Sequence, residues 1–202
     1  MLDLPDTKPI LERVFRPTAH ALHRLGVRPN ALTLASLASS TFAGVLVLAF
    51  PTETWPILAM LAAMLARLAF NHIDGIIARE RGMKTPLGGL LNELATPAED
   101  MALYLPLAAR PEMPAALIVC AVMLCVLVEV AGLSSIAIGG SRRYDGPMSK
   151  VVRGTFFAAL AIAAALRLAP ASWTPTALVL ILILLAVTAC NRLNRALEET
   201  GS

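Results

Sequence analysis

Two stretches of the chain place polar side chains where apolar ones are the rule. Residues 57–70 are apolar apart from Arg67, and the chain then reads Asn71-His72-Ile73-Asp74-Gly75. A later run opens with Gly88, Gly89, Asn92, Glu93, Thr96, Glu99 and Asp100 and turns apolar only from Met101 to Ala109. Counted with its polar half, each run is long enough to cross a bilayer. A charged side chain inside a membrane costs about 2.5–3.5 kcal/mol or more, so such residues face a watery cavity or one another. The two polar halves are therefore expected to enclose a pocket, and that pocket is the expected functional site.

The rest of the chain explains what must position those residues. Of 202 residues, 57% are hydrophobic and 15% charged, with a mean hydropathy of +0.70. Those values fall on the membrane side of ordinary globular usage and exclude a disordered tail, a disulfide scaffold or a soluble domain. Cys120, Cys125 and Cys190 lie inside apolar runs at spacings that match no zinc or redox motif, and read as small buried hydrophobes. Apolar runs near 31–50, 56–79, 87–109, 114–138, 152–169 and 173–190 predict six transmembrane helices. No signal peptide is expected, because Asp3 and Asp6 stand where a basic region would be. Residues 7–28 instead set Leu11, Val14, Phe15, Leu22 and Leu25 opposite Arg13, Arg16, Arg24, His20 and His23. That pattern predicts an amphipathic interfacial helix bent at Pro17, with the two histidines as interfacial polar groups.

Charge placement orients the bundle. Of the seventeen Lys and Arg residues, Arg110 and Arg167 alone fall in the segments on one side, and Arg67 lies within a span. All the others lie in the termini, the second loop or the fourth loop, so both termini and the polar pocket are expected in the cytoplasm. Trp55 and Trp173 then mark the outer interface.

The stretch Asn71-x-x-Asp74-Gly75-x-x-Ala78-Arg79, then Gly88-x-x-x-Asn92-x-x-x-Thr96, resembles the signature of the CDP-alcohol phosphotransferases, DxxDGxxAR followed by GxxxDxxxD. The six spans, the interfacial helix and the segment Pro29-Asn30-Ala31-Leu32-Thr33 are also similar to that family. The resemblance implies an all-α integral membrane enzyme of phospholipid biosynthesis. It would move a phosphatidyl or other phospho-alcohol group from a CDP-linked lipid donor, such as CDP-diacylglycerol, to a small alcohol or phospho-alcohol acceptor, releasing CMP. By position, Asp74, Gly75, Ala78, Arg79 and Gly88 would serve the nucleotide, and Asp74, Asn71, Asn92 and Thr96 would occupy the metal positions for Mg²⁺ or Mn²⁺. A homodimer is implied, along with membrane lipid as partner and no nucleic acid. Residues 1–29 would form the juxtamembrane segment, 30–192 the catalytic domain and 193–202 a cytoplasmic tail.

This chain departs from the pattern at three carboxylates. Asn71 and Asn92 bring amide oxygens without charge, and the Asn92-Glu93 pair resembles a variant branch of the family. Thr96 stands where the family's base is expected, and a hydroxyl cannot accept a proton near neutral pH without another base. Asp100 lies one turn further, rotated by about 40° and about 6 Å along the axis, with Pro97 between them to bend the helix. Asp100 and Glu93 are the candidate replacements, against a purely structural polar role for each. Glu129, midway along the fourth span, is another buried acid in need of a partner. Arg67 shares a helix face with Asn71 and Asp74, and reads either as a buried ion pair or as a donor-phosphate contact. In the fourth loop, Arg142, Lys150 and Arg153 are candidates for substrate phosphate, against plain positive-inside charge. Two other functions stand beside the transferase: an inactive relative that binds nucleotide or lipid, and a small transporter. The transporter would predict repeated spans, and Asp74-Gly75 has no counterpart later in the chain.

Overall fold

The computed structural model describes residues 8–168 and 173–201. Among these residues the fold is all helical, with no strand. The α-helices are α1 (Lys8–Arg24), α2 (Pro29–Ala49), α3 (Trp55–Glu80), α4 (Pro86–Tyr104), α5 (Ala115–Ala137), α6 (Lys150–Ala165) and α7 (Trp173–Thr200). A 3-10 segment, Leu105–Ala109, follows α4.

Helices α2, α3, α5 and α7 are long and apolar enough to cross a membrane. Their outward residues are large and apolar, such as Phe42 and Val45 on α2, Met123 and Leu127 on α5, and Leu180 and Ile183 on α7. Such surfaces are stable in an apolar medium rather than in water, so this is a membrane protein. Helix α4 differs because Glu93, Glu99 and Asp100 interrupt its apolar character, and α6 differs because it has only 16 residues, about 24 Å. The predicted span at 152–169 therefore ends early, at Ala165, where the chain turns through a left-handed Arg167 (φ 53°). Helix α7 continues past the expected end of the domain to Thr200. Both α1 and α4 run through their internal prolines, Pro17 and Pro97.

The chain forms two compact units, one comprising the residues up to Phe42 with Ala62–Glu99, the other Ala43–Leu61 with the residues from Asp100 onward. In the first unit, Ile73, Ile76 and Ile77 lie at helical spacing on one face of α3. They bury against Ala19 of α1 and Leu32 of α2, with Phe15 and Leu22 packed around them. The opposite face of the same turns carries Asn71, Asp74, Gly75 and Ala78, so one helix separates core from site. His72 stays on the structural side, its ring near Phe15 and Nδ1 donating to the Leu68 carbonyl at 2.7 Å.

Arg67 resolves as an ion pair. Its Nε lies 2.6 Å from Oε2 of Glu99, a charge contact rather than a linear hydrogen bond, and its Nη2 donates to the Thr96 carbonyl at 3.2 Å. Glu99 is fully buried and also accepts from the Ser36 hydroxyl. Three helices of this unit are thereby joined through one carboxylate.

In the second unit α5 packs along α7, with Ile118, Val122, Cys125 and Val128 buried on one and Leu178, Ile181 and Leu185 on the other. Cys125 is buried as expected, whereas Cys120 and Cys190 are exposed; none of the three forms a disulfide. Tyr104 and Phe157 stack with ring centroids 4.1 Å apart. Arg110 is buried and ties two loops, donating to Glu112 at 2.6 Å and to the Glu53 carbonyl at 2.7 Å. Gly44 allows a close backbone crossing, since a Cβ there would fall 2.0 Å from the carbonyl oxygen of Ala102.

Two outcomes follow from these contacts. Gly44→Ala forces that crossing apart and is expected to lower stability by at least about 2–3 kcal/mol in a thermal melt in micelles. An unchanged melting temperature would contradict the crossing. Arg67→Met leaves Glu99 charged and unneutralised and should cost about 3–5 kcal/mol, most of it recovered in Arg67→Met combined with Glu99→Leu. Additive losses in the double variant would show that the two do not act as a pair.

Candidate functional site

The first unit contains a cavity of about 390 Å³. Asn71, Asp74, Gly75, Ala78 and Arg79 reach it from α3, and Gly88, Gly89 and Asn92 from α4. Met83, Lys84 and Thr85 close it from the intervening loop, and Pro29, Asn30 and Thr33 from the start of α2. The spacing on α3 explains its share: positions 71, 74, 75 and 78 follow i, i+3, i+4, i+7 and so share a face. At the start of α4, Pro86 takes the first helical position and the Thr85 hydroxyl accepts from the Gly88 amide at 3.0 Å, a capping bond.

Asp74 is mostly buried and its Oδ2 accepts from the Thr33 hydroxyl at 2.8 Å. A Cβ on Gly88 would fall 2.8 Å from Oδ1 of Asn30, so the glycine admits that amide against the α4 backbone. A Cβ on Gly75 would meet Nη1 of Arg79 at 3.0 Å, so the Arg79 guanidinium lies close over this bare turn. Arg79 and Lys84 outnumber the one carboxylate, Asp74, in the lining, and the cavity therefore suits an anionic ligand. The oxygen donors Asp74, Asn71 and Asn92 have the hard character that Mg²⁺ or Mn²⁺ requires, with a single formal charge among them. Among the described residues, no group of three His, Cys, Asp or Glu forms a carboxylate-rich metal cage.

Other residues singled out in the sequence lie elsewhere. Thr96 is buried, its hydroxyl donating back to the Asn92 carbonyl at 3.3 Å, and Glu93 is half-buried on α4; neither lines the cavity. Asp100 belongs to the second unit, where its Oδ2 lies 2.6 Å from Nη2 of Arg153.

That contact is part of a buried cluster. Glu129 meets Arg142 at 2.8 Å, Arg153 at 3.0 Å and Arg192 at 3.5 Å. Arg192 also donates to the Val128 carbonyl at 2.7 Å. Three guanidinium groups thus face two carboxylates. Arg153 is fully buried, and its Nε and Nη1 find no hydrogen-bond partner among the described residues. The fourth loop is fitted around this cluster. A Cβ on Gly132 would strike Arg142 Nη1 at 2.5 Å and the Arg143 carbonyl at 2.6 Å, so only glycine lets the loop fold back here. Gly146 adopts φ 113° against Thr188, whose hydroxyl accepts from the Met148 amide at 3.0 Å. Ser149 then caps α6, and Lys150 is half-buried in its first turn.

The sequence reading did not assign roles to Asn30, Thr33, Lys84 or Arg192. Residues 29–33 carried a signal through their resemblance to the family. Lys84 and Arg192 carry only the positive-inside signal in the sequence, and nothing local distinguishes them from the other basic residues.

Comparison with known proteins agrees with this architecture. The sequence pattern described as CDP-alcohol phosphatidyltransferase matches residues 26–193. Inner membrane protein YnbA of Escherichia coli K12 is 35% identical over 193 residues, covering 95% of this chain and 94% of that protein. Phosphatidylinositol phosphate synthase of Corynebacterium glutamicum is 36% identical over 104 residues, 52% of this chain and 45% of its own length. Two crystal structures of the Mycobacterium tuberculosis phosphatidylinositol phosphate synthase share the fold, each with a TM-score of 0.74. The one with CDP-DAG bound is 20% identical and is matched over 94% of this chain and 96% of its own. The one in complex with manganese and citrate is 19% identical, over 93% and 90%. The motif spacing, the helical membrane fold and the match across most of the chain agree, and this protein belongs to the CDP-alcohol phosphatidyltransferase family.

Proposed function

We propose that this transferase moves a phosphatidyl group from CDP-diacylglycerol, or a close CDP-linked lipid, to the hydroxyl of a small alcohol or phospho-alcohol. The observation that carries the reading is that Asp74, Gly75, Ala78, Arg79 and Gly88 line one cavity together with Asn71 and Asn92. Family membership supports the same chemistry over the inactive-binder alternative. The CDP-DAG held by the M. tuberculosis synthase supports the donor class.

In this reading Gly75 and Gly88 let the nucleotide approach the backbone, and Arg79 meets the donor diphosphate. Asp74, Asn71 and Asn92 would hold Mg²⁺ or Mn²⁺, with Thr96 steadying the turn behind Asn92. The cation, when bound, supplies charge neutralisation at the diphosphate. The acceptor oxygen attacks the phosphorus that carries the lipid, the bond from that phosphorus to the CMP oxygen breaks, and CMP departs. The acceptor proton passes to a carboxylate of this chain. Glu93 takes it in our reading: it is half-buried and next in sequence to the cavity-lining Asn92, whereas Asp100 is fully buried against Arg153. The orphan donors of Arg153, with Arg142 and Lys150 in the same unit, are candidates for an anionic group on the acceptor.

The distribution of basic residues supports six spans with both termini and the pocket in the cytoplasm, and the amphipathic pattern of α1 supports its lying in the interface. Residues 1–29, 30–192 and 193–202 then act as juxtamembrane segment, catalytic domain and tail. Small residues in α4 and α5 support a homodimer.

The test is CMP release by protein purified in lipid, with CDP-diacylglycerol, Mn²⁺ or Mg²⁺ and a panel of small alcohols. The parent should release CMP, and Asp74→Ala should reduce the rate at least about a hundredfold. Glu93→Gln should lose about 10²-fold or more in kcat. CMP binding without release anywhere in the panel would favour the inactive-binder reading. Loss of activity in Asp100→Asn with Glu93→Gln unaffected would move the base to Asp100.

A further inference from the structure

Helix α1 does more than bury an apolar face. Glu12, Arg16 and His20 stand at i, i+4 and i+8, one line along the helix, and all three engage the end of α3. Oε1 of Glu12 accepts from Nη2 of Arg79 at 2.6 Å. Arg16 lies 2.9 Å and His20 2.7 Å from Glu80. The underlying core, Ala19 and Leu22 against Ile73, Ile76 and Ile77, fixes the register in which these contacts form.

The guanidinium of Arg79 is therefore held from two directions. Nη2 is tied to Glu12, while Nη1 lies over the bare backbone of Gly75. The side chain is about 44% exposed. A long flexible side chain so exposed samples many rotamers unless a partner restrains it. One carboxylate on one terminal nitrogen restrains it and leaves the other donors of the fork for a ligand.

We infer that Glu12 is a positioning residue for donor binding: it orients the Arg79 guanidinium towards the cavity, so that α1 is a working part of the donor site. The inference rests on the reading of Arg79 as the donor-diphosphate contact. Glu12 touches no substrate and acts through Arg79 alone. It should therefore alter donor affinity and leave the transfer step itself unchanged.

The experiment is steady-state kinetics of the full chain in lipid with CDP-diacylglycerol varied. Glu12→Gln keeps the shape of the side chain and removes its charge. It should raise the donor KM about threefold to fivefold, the range for a partly exposed pair, with kcat within about twofold. KM does not depend on the folded fraction, so partial unfolding cannot imitate the effect. Arg16→Gln breaks another α1–α3 contact and should leave the donor KM unchanged. In an Arg79→Lys background, Glu12→Gln should add no further rise. An unchanged KM in Glu12→Gln, while Arg79→Lys raises it, overturns the inference and leaves the donor-site reading standing. An equal rise in Arg16→Gln also overturns it, since helix docking in general would then be the cause. An unchanged KM in Arg79→Lys overturns the reading of Arg79 and the inference together.

Discussion

Charge buried among apolar helices has to be neutralised where it sits, and most of this structure follows from how that is done. In the first unit Glu99 is fully buried and is met by Arg67 and Ser36. In the second, Asp100 and Glu129 are met by Arg153, Arg142 and Arg192. Leaving such an acid unpaired is strongly destabilising, whereas the intact pairs join helices distant in sequence. Removing either partner therefore threatens the scaffold before it reaches any chemistry.

Against that background the cavity of the first unit has a different character. Its single lining carboxylate, Asp74, is held by a hydroxyl from Thr33, and its neighbours are amides, glycines and two cations. A cavity with that balance favours a polyanionic ligand and leaves a cation fewer formal charges than four aspartates would. Gly88 and Gly75 serve it through what they lack, since a Cβ at either position would press on Asn30 or Arg79. Gly132 of α5 and Gly146 of the fourth loop act in the same way, the one admitting Arg142 and the Arg143 carbonyl and the other Thr188, where a larger residue would clash.

The legible part of this protein was local. Helical spacing placed Asn71 and Asp74 on one face, and the family pattern tied them to Gly75, Ala78, Arg79, Gly88 and Asn92. Apolar run length marked the helices but not where each one stops, as at Ala165 in α6. Partner choice was not legible. The sequence marked Arg67 and Glu129 as needing counter-charges, but which acids and bases meet depends on helix packing with no local signature. Helix α1 read as an interfacial element from its amphipathic pattern, and its grip on Arg79 and Glu80 depends on a register fixed only by the Ile73, Ile76 and Ile77 core. Thr96 remains the clearest departure from the family pattern, and its hydroxyl is turned back onto its own helix.

In the proposed reaction one carboxylate with two amides, Asp74 with Asn71 and Asn92, holds the divalent cation. The most direct measurement is Mn²⁺ binding to the purified protein in lipid, followed by electron paramagnetic resonance with and without CMP, in the parent and in Asp74→Asn. Bound Mn²⁺ that CMP tightens and Asp74→Asn abolishes is the expected result. Mn²⁺ binding that survives Asp74→Asn would overturn the assignment of Asp74 as its ligand.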